Sequence, residues 1–425
     1  MYVLPLSGND QPISRHDNSL SEYVLKECQT DGLVGLRIQD CKPMSQETRI
    51  RDVTRRLIEL PSISCSDPAI DMGNINVIEQ LAEWLDDIGF SCEIMELPGK
   101  PDKANLIATL GSGPGGLVMA GHADTVPYDE GGWKSDPFTL TENGHYWHGL
   151  GTSDMKAFLG LAIEAARDFV HQPLQQPLII LATADEESGM DGARALVQAG
   201  RPKARYAVIG EPTGMHPVHI HKGIFADRIR VLGKSGHSSN PALGHNAIDG
   251  MHQVLNSIYA FRQSLAQRAQ LPEFKVGHGT LNTGCIHGGD NANRIPAACE
   301  LDIDLRFLPG QDENELRAEL RQKISAALAG TEYRVEFEPL FEGLPAFSTP
   351  LDSPIIAACE RLTGYRAQAV DFATEGALLN QLGMQTVIMG PGSIDCAHQP
   401  DEFLDTRMIL PTIRSLQSLI SEFCL

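Results

Sequence analysis

Carboxylates and imidazoles stand directly after short apolar runs at several points along this 425-residue chain. The runs GGLVMAGH, PLIILATA and RYAVIG each lead into such groups, and the stretches HGLGTSDMK and GPGSIDCAHQP add more. The groups concerned are His122, Asp124, Asp154, Glu186, Glu187, Glu211 and His398. Adjacent like charges repel, and a carboxylate taken out of water is costly unless a positive charge meets it. The pattern therefore leaves two alternatives: solvated loops, or a cation that the acids surround.

Imidazoles and carboxylates together suit zinc, cobalt or manganese. Six of these groups, the two histidines and the four acids other than Asp124, exceed the four ligands of one tetrahedral zinc. Two ions sharing a carboxylate would use them and leave one acid free as a base. In the extended stretch HAD, Asp124 points the same way as His122, so it can accept a hydrogen bond from the ring nitrogen that binds no metal. Glu186 and Glu187 point to opposite sides, so one can bind metal while the other takes a proton from water. Asp185 is interpreted as a bystander that caps a turn.

The elements that position these groups are predicted to be alternating strands and helices. INVIEQLAEWLDDIGF and MKAFLGLAIEAARDFV have helical spacing, whereas the apolar runs above have the length of buried strands. This alternation predicts an α/β fold, an open and mostly parallel sheet with helices on both faces. Ligand sites in such sheets lie outside the carboxyl ends of the strands, which is where the acids and histidines fall.

The order of elements changes near residue 220. From there the chain predicts β, α, β, α, β, and ELDIDLRF alternates polar and apolar residues as in a sheet with one solvated face. We therefore expect a catalytic domain over residues 46–219 and 336–425, interrupted by a smaller α+β domain over 220–335. Residues 1–45 are expected to be an N-terminal extension of unknown role. Ser45 is the expected N-cap of the first helix, with Glu47 in its first turn.

Composition excludes several classes of partner. Hydrophobic residues make up 42% of the chain, enough to fill two cores. The formal net charge of −21 repels phosphate backbones and anionic lipid, so neither nucleic acid nor membrane is expected as a partner. The nine cysteines form no CxxC pair, and the first residues lack the pattern of a secretory signal. A reducing cytoplasm is therefore the expected location.

Six motifs carry a resemblance to a known family. GHADTVP, GLGTSDMK, DEESG, GEPT, SGHSS and GPGSIDCAHQP, in this order, resemble the di-zinc amidohydrolase family of acetylornithine deacetylase, succinyl-diaminopimelate desuccinylase and aminoacylase. The resemblance runs from about residue 46 to the C-terminus, and ILATADEESGMDGAR and GPGSIDCAHQPDEFL look most similar to the acetylornithine branch. It implies hydrolysis of N2-acetyl-L-ornithine to L-ornithine and acetate in arginine biosynthesis. Desuccinylation, broad aminoacylase activity and small-peptide cleavage stay open, because all share the metal centre.

The resemblance also implies two divalent metal ions, zinc first and cobalt as the alternative. His122 and Glu211 would bind the first ion. Glu187 and His398 would bind the second, and Asp154 would bridge the two.

The remaining roles implied by the resemblance concern proton transfer and the substrate, a small N-acyl amino acid. Glu186 would be the general base, and Asp124 the partner of the His122 ring. His237 would reach the active site of a second subunit in a homodimer whose interface lies in the inserted domain, which also acts as a lid. The residues implied to contact substrate are Asn293, Arg306, Glu375, Gly390 and Gly392. Glu375, in FATEGALLN, would face the substrate's side-chain amine, with support of the catalytic loop as the alternative.

Overall fold

The computed structural model describes residues 44–129 and 131–425, so nearly all of the expected N-terminal extension, residues 1–45, lies outside the described residues. This described part contains nine α-helices and eighteen strands. The helices are α1 (Gln46–Ile58), α2 (Ile75–Asp87), α3 (Lys156–Ala166), α4 (Asp191–Ala199), α5 (Ala247–Arg268), α6 (Glu313–Ala327), α7 (Pro354–Thr363), α8 (Gly376–Gln381) and α9 (Ile409–Cys424). The strands are β1 (Ser91–Leu97), β2 (Lys100–Leu110), β3 (Leu117–His122), β4 (Thr141–Asn143), β5 (Tyr146–His148), β6 (Leu178–Thr183), β7 (Tyr206–Ile209), β8 (Val218–His221), β9 (Gly223–Leu232), β10 (Gly236–His237), β11 (Thr280–Gly288), β12 (Arg294–Ile295), β13 (Ala298–Phe307), β14 (Arg334–Leu344), β15 (Phe347–Ser348), β16 (Gln368–Val370), β17 (Gln385–Ile388) and β18 (Phe403–Asp405).

The largest sheet has nine strands and a parallel centre. Its order is β1-β2-β6-β3-β7-β17-β8-β15, and β16 also pairs with β8. The neighbours β6, β3, β7 and β17 are parallel, whereas the pairings of β1 with β2, β2 with β6, β17 with β8 and β8 with β15 are antiparallel. Every residue of β3, β6 and β7 is buried, so both faces of the central sheet are covered. The predicted α/β class with a mostly parallel central sheet is confirmed.

Helices α1, α3, α9 and α7 pack side by side over this sheet. The predicted N-cap is confirmed, because the Ser45 hydroxyl accepts the N–H of Thr48 at 3.2 Å. Helix α3 is buried along its whole length. A β-carbon at Gly160 of α3 would come within 2.9 Å of Val53 on α1, so the glycine lets the two helices approach closely.

A second, four-stranded antiparallel sheet has the order β11-β13-β9-β14. Helices α5 and α6 cover one face, and the alternation predicted from ELDIDLRF is confirmed, because β13 alternates buried and half-buried residues. The aromatic residues Phe225, Phe261 and Phe307 lie in its core, which is separate from that of the larger sheet. The sheet runs from Gly223 to Leu344, so its last strand continues past residue 335.

The two sheets are joined closely at Lys222, the single residue between β8 and β9. Its ammonium donates to the carbonyls of Val276 and His278 at 2.7 and 3.0 Å. Two small sheets, β18-β5-β4 and β10-β12, complete the described strands. Among the described residues, none of the helices combines the length and apolar character needed to cross a membrane.

Candidate active site

The histidines and acids singled out from the sequence lie at strand ends and on the following loops, at one edge of the central sheet. His122 is the last residue of β3, Glu186 and Glu187 follow β6, and Glu211 follows β7. Because these strands are parallel, their carboxyl ends meet at the same edge. Asp154 reaches this edge from the loop before α3.

Asp154 lies between two histidines. Its Oδ1 is 3.0 Å from Nε2 of His122, and its Oδ2 is 3.3 Å from Nε2 of His398. The same nitrogen of His398 is 3.1 Å from Oε2 of Glu187. One carboxylate is therefore in reach of both imidazoles, which is the position that a bridging ligand needs.

Two overlapping groups of donor atoms can each hold a metal ion. The first contains His122, Asp154 and Glu187, and the second contains His122, Glu186 and Glu211. Within each group the donor atoms all lie within 4.8 Å of one another. Imidazole nitrogens and carboxylate oxygens form the donor set that suits zinc and similar divalent ions, so these residues fit a divalent metal centre.

The electrostatics of the cluster support the same conclusion. Burial, followed by the charges of neighbouring carboxylates, raises the pKa of Glu186 and of Glu211 well above the usual range. Burial opposes charge on Asp154 as well, but its hydrogen bonds to His122 and His398 lower its pKa. The hydrogen bonds to Asp154 and Glu187 raise the pKa of His398 to about 10. Such a concentration of acids is stabilised in its charged form by a bound cation.

Asp124 differs in geometry from the sequence expectation. Its carboxylate is 3.8 Å from Nδ1 of His122, and that nitrogen lies 2.9 Å from the main-chain carbonyl of Asp124 instead. The carboxylate accepts the N–H groups of Glu186 and Glu187 at 3.3 and 3.1 Å. Two N–H donors of the turn after β6 therefore occupy its oxygens, and Asp124 orients His122 through its backbone and both glutamates through its side chain. Burial raises the pKa of Asp124 to about 6.

The predicted lid residues have hydrogen-bond partners outside the ligand cluster. His237 is exposed in β10, and its Nδ1 is 2.7 Å from the Ser239 hydroxyl. Asn293 is close to it, because the Asn293 carbonyl accepts the N–H of Ser238 at 3.1 Å. Arg306 lies on β13, where its Nε donates to Asp304 at 3.0 Å. Among the described residues, His237, Asn293 and Arg306 make no hydrogen bond or ion pair with the cluster.

The turn with Gly390 and Gly392 packs closely against the loops that carry the predicted ligands. A β-carbon at Gly390 would collide with the carbonyl of Gly210, and one at Gly392 would collide with the hydroxyl of Ser153. Gly392 also has a φ of 86°, which favours glycine. The turn was expected to approach the substrate. It packs against Gly210 and Ser153, which immediately precede Glu211 and Asp154.

Glu375 is buried at the start of α8, with 1% of its surface exposed. Burial raises its pKa to about 7, although the Thr183 side chain and the charge of His122 act in the opposite direction. Among the described residues it forms no ion pair. The N–H of the preceding Thr374 donates to Nε2 of His221 at 3.2 Å. A buried carboxyl group without a cation beside it is a candidate to bind a positively charged group of a ligand.

Asp185 has a larger role than the sequence indicated. It is 1% exposed, and its carboxylate accepts hydrogen bonds from Lys100 and Lys103, each at 2.6 Å, and from Ser64 at 3.0 Å. Its carbonyl accepts the N–H of Gly189 at 3.1 Å, so it also caps the turn that carries the two glutamates. The two lysines lie on β2, more than eighty residues away, and no local pattern links them to this turn.

A cavity of about 550 Å³ opens beside Glu187. Ser64, Lys100 and Ser188 line it from the larger sheet's side, and Phe341 of β14 lines it from the smaller sheet's side. This is within the usual size of a small-molecule site, roughly 300–1,000 Å³. The cavity thus lies between the two sheets and has the predicted ligand Glu187 in its wall.

Comparison with known proteins identifies the family. The profile described as "Peptidase family M20/M25/M40" matches residues 118–422. An acetylornithine deacetylase of Edwardsiella ictaluri (strain 93-146) is 45% identical over 370 residues, which cover 87% of this chain and 96% of that protein. An acetylornithine deacetylase of Proteus mirabilis (strain HI4320) is 45% identical over 374 residues, covering 88% and 96%.

The fold is shared with solved structures at much lower identity. The YXEP protein of Bacillus subtilis, described as a dinuclear metal binding peptidase from the M20 family, superposes with a TM-score of 0.61 at 17% identity. The match covers 88% of this chain and 98% of that one.

The chain belongs to peptidase family M20/M25/M40. It is a metal-dependent hydrolase, and its two overlapping donor groups support a site for two divalent metal ions. The resemblance inferred from the six sequence motifs is confirmed.

Proposed function

We propose that this enzyme hydrolyses N2-acetyl-L-ornithine to L-ornithine and acetate, as a cytoplasmic step of arginine biosynthesis. The observation that carries this proposal is 45% identity, across nearly the full length of both chains, to proteins named acetylornithine deacetylase. The cavity beside Glu187 supports it, because its size suits an acylated amino acid. The cysteines of the described part are all free thiols, in agreement with a reducing compartment.

The proposed metals are two zinc ions, with cobalt as the alternative. His122 and Glu211 would hold one ion, Glu187 and His398 would hold the other, and Asp154 would be shared between them. The contacts of Asp154 with both histidines support the bridging role. When bound, the ions supply Lewis-acid activation of the amide carbonyl and of the attacking water.

Glu186 is the proposed general base. It takes one proton from water as the water oxygen attacks the acyl carbon, and it delivers that proton to the amine nitrogen as the C–N bond breaks. The products are the carboxylic acid and the free amine. Its position beside the proposed ligand Glu187 supports this role, and burial, followed by the charge of Glu211, raises the pKa of Glu186 above the usual range. The hydrogen bond from its N–H to Asp124 holds its backbone in place.

Two groups are proposed to select the substrate. Arg306, with Asn293, holds the α-carboxylate, for which the guanidinium fork is suited. Glu375 receives the side-chain ammonium of ornithine, supported by its burial and by its lack of an ion pair within the described chain. Glu375→Gln should lower kcat/KM for acetylornithine more than for acetyl-norvaline, which lacks the amine. If the variant discriminates between acetylornithine and acetyl-norvaline as the wild type does, the role of Glu375 is to support the catalytic loop.

The enzyme is proposed to act as a homodimer in which residues 220–335 form the lid and the dimer contact. His237 of one subunit would complete the site of the other by stabilising the oxyanion. Its exposure supports this, as does the absence, within the described chain, of a hydrogen bond or ion pair between His237 and its own ligand cluster. The edge strand β11 carries the exposed Ile286, and α5 carries the exposed Tyr259, which supports an interface on this domain.

The decisive experiment is steady-state hydrolysis of N2-acetyl-L-ornithine beside N-succinyl-diaminopimelate and acetyl-methionine, before and after chelation. We expect a large preference in kcat/KM for acetylornithine, lost with the chelator and restored by zinc or cobalt. Comparable rates on acetyl-methionine would favour a broad aminoacylase. Absence of metal-dependent turnover of all three would refute the proposal and direct the search to peptides.

A further inference from the structure

Glu402 is a buried carboxylate that the roles above do not use. It lies four residues after His398, and 2% of its surface is exposed. Its Oε1 accepts three main-chain N–H groups, from Gly151 at 3.1 Å, Ser153 at 2.7 Å and Asp154 at 3.0 Å. Three N–H groups of one loop thus converge on a single side-chain oxygen of Glu402.

These donors belong to the loop that carries Asp154 to the site. The main chain of Glu402 binds the same loop, because the N–H of Gly149 donates to its carbonyl at 3.1 Å. Gly151 has a φ of 88°, so the loop curls around the carboxylate in a conformation that favours glycine. Glu402 therefore holds the loop at both ends of the segment 149–154.

Glu402 also connects this loop to the segment that carries His398. The two proposed ligands Asp154 and His398 come from parts of the chain more than two hundred residues apart, yet their side chains approach to 3.3 Å. Because Glu402 lies four residues after His398 and binds the loop that carries Asp154, it joins the two segments that bring these ligands together.

We propose that Glu402 is a positioning residue that holds the Asp154 carboxylate where both histidines reach it, and thereby sets how tightly the site binds divalent metal. Glu402 acts through the backbone of Asp154, since its oxygens contact N–H groups of the loop. The inference rests on the proposed ligand roles of Asp154 and His398. Partners of this kind typically change metal affinity by about 10–100-fold when they are removed.

The test is a titration of the metal-free, full-length protein with Co²⁺, followed by visible absorption. Glu402→Met keeps the length of the side chain and removes every acceptor, so Co²⁺ affinity should fall by about 10–100-fold and the absorption band should change. Glu402→Gln keeps an amide oxygen that can still accept at the Oε1 position, so it should recover much of the wild-type affinity. The matched control is Glu164→Met, since Glu164 is also buried, at 5% exposure, and its ion pairs with Arg49 and Arg167 join helices away from the ligands.

Wild-type affinity and spectrum in Glu402→Met, or an equal loss in Glu164→Met, would overturn the proposal. A second measurement needs no variant and covers the case in which Glu402→Met does not fold. Amide hydrogen exchange in the wild-type protein should show Gly151, Ser153 and Asp154 protected like core strands, and rapid exchange at these amides would also overturn it. A wild-type protein that binds no Co²⁺ would refute the ligand roles and this inference with them, whereas failure to hydrolyse acetylornithine would refute only the substrate.

Discussion

Replacing Lys103 by Met removes a buried ammonium group that binds Asp185, the residue before the proposed base Glu186. The Lys103 side chain is 4% exposed and binds two carboxylates, Asp185 at 2.6 Å and Asp71 at 2.7 Å. Asp185 is itself 1% exposed and immediately precedes Glu186, so the variant leaves a buried acid with fewer partners next to the proposed base. Methionine has a similar length and fills the same space, so the loss of charge is the main change.

The expected loss in the free energy of unfolding follows from this burial. Removing one partner of a buried ion pair costs about 3–5 kcal/mol, because the remaining charge stays buried. Asp185 keeps the hydrogen bonds from Lys100 and Ser64, and the side chain of Asp71 is 27% exposed, so water replaces part of what is lost. We therefore expect the low end of that range, about 3 kcal/mol.

Lys100→Met is the matched control, because Lys100 binds the same Asp185 carboxylate at the same 2.6 Å distance. Its side chain is 40% exposed, and exposed ion pairs contribute about 0–1 kcal/mol. Urea unfolding followed by tryptophan fluorescence at neutral pH measures both variants under the same conditions. Equal losses for the two variants, or no loss for Lys103→Met, would refute the argument from burial.

The pH dependence of this loss has a definite sign. Burial works against both charges, but the lysine hydrogen bonds lower the pKa of Asp185, and the carboxylates raise the pKa of Lys103. The contribution of Asp185 is complete above its ordinary pKa of 3.8 and is lost as pH falls through the lowered value. That of Lys103 is complete below its ordinary pKa of 10.5 and is lost as pH rises through the raised value. The difference in the free energy of unfolding between wild type and Lys103→Met should thus stay constant between pH 3.8 and pH 10.5.

Three further predictions concern the proposed chemistry. Glu186→Gln should lower kcat by about 10²–10⁴-fold while metal content stays at two ions per chain, and a normal kcat would contradict its role as base. Chelation should lower the thermal unfolding midpoint as well as abolish hydrolysis, because ions that bind the folded chain stabilise it; an unchanged midpoint would argue against a tightly bound centre. His237→Ala should lower kcat by about 10²–10³-fold and regain activity when its subunits are exchanged with those of Glu186→Gln, since the mixed dimer then has one complete site. Failure to regain activity would argue that His237 does not act across subunits.

The position of the site was predictable because strand ends leave a local pattern. The apolar runs before His122, Glu186 and Glu211 have the length of buried strands, and parallel strands bring their ends together. The cap at Ser45 and the alternation along β13 were predictable for the same reason, since each depends on neighbours in sequence. Side-chain type and short-range spacing were sufficient for these features.

Other contacts could not be predicted, because they join distant segments through the main chain. The spacing of His122 and Asp124, two residues apart in an extended stretch, suggested a bond between their side chains. The Asp124 carboxylate instead accepts N–H groups from the turn after β6. Every residue except proline offers an N–H, so side-chain identity does not reveal which one a carboxylate will bind. The lysine partners of Asp185 escaped prediction for a different reason, because these side-chain contacts join residues more than eighty positions apart.

The ligand loops at this edge share one physical arrangement. Asp124 binds the backbone of the turn that carries Glu186 and Glu187, and Glu402 binds the backbone of the loop that carries Asp154. Apolar contacts are non-directional, so they can bury a loop without fixing the direction of its side chains, whereas an N–H bound to a carboxylate fixes the peptide plane. An acid that lies near a ligand motif but binds no metal itself can therefore fix the main chain of the ligand loop. Asp124 and Glu402 both have this role, and each lies within four residues of a proposed ligand.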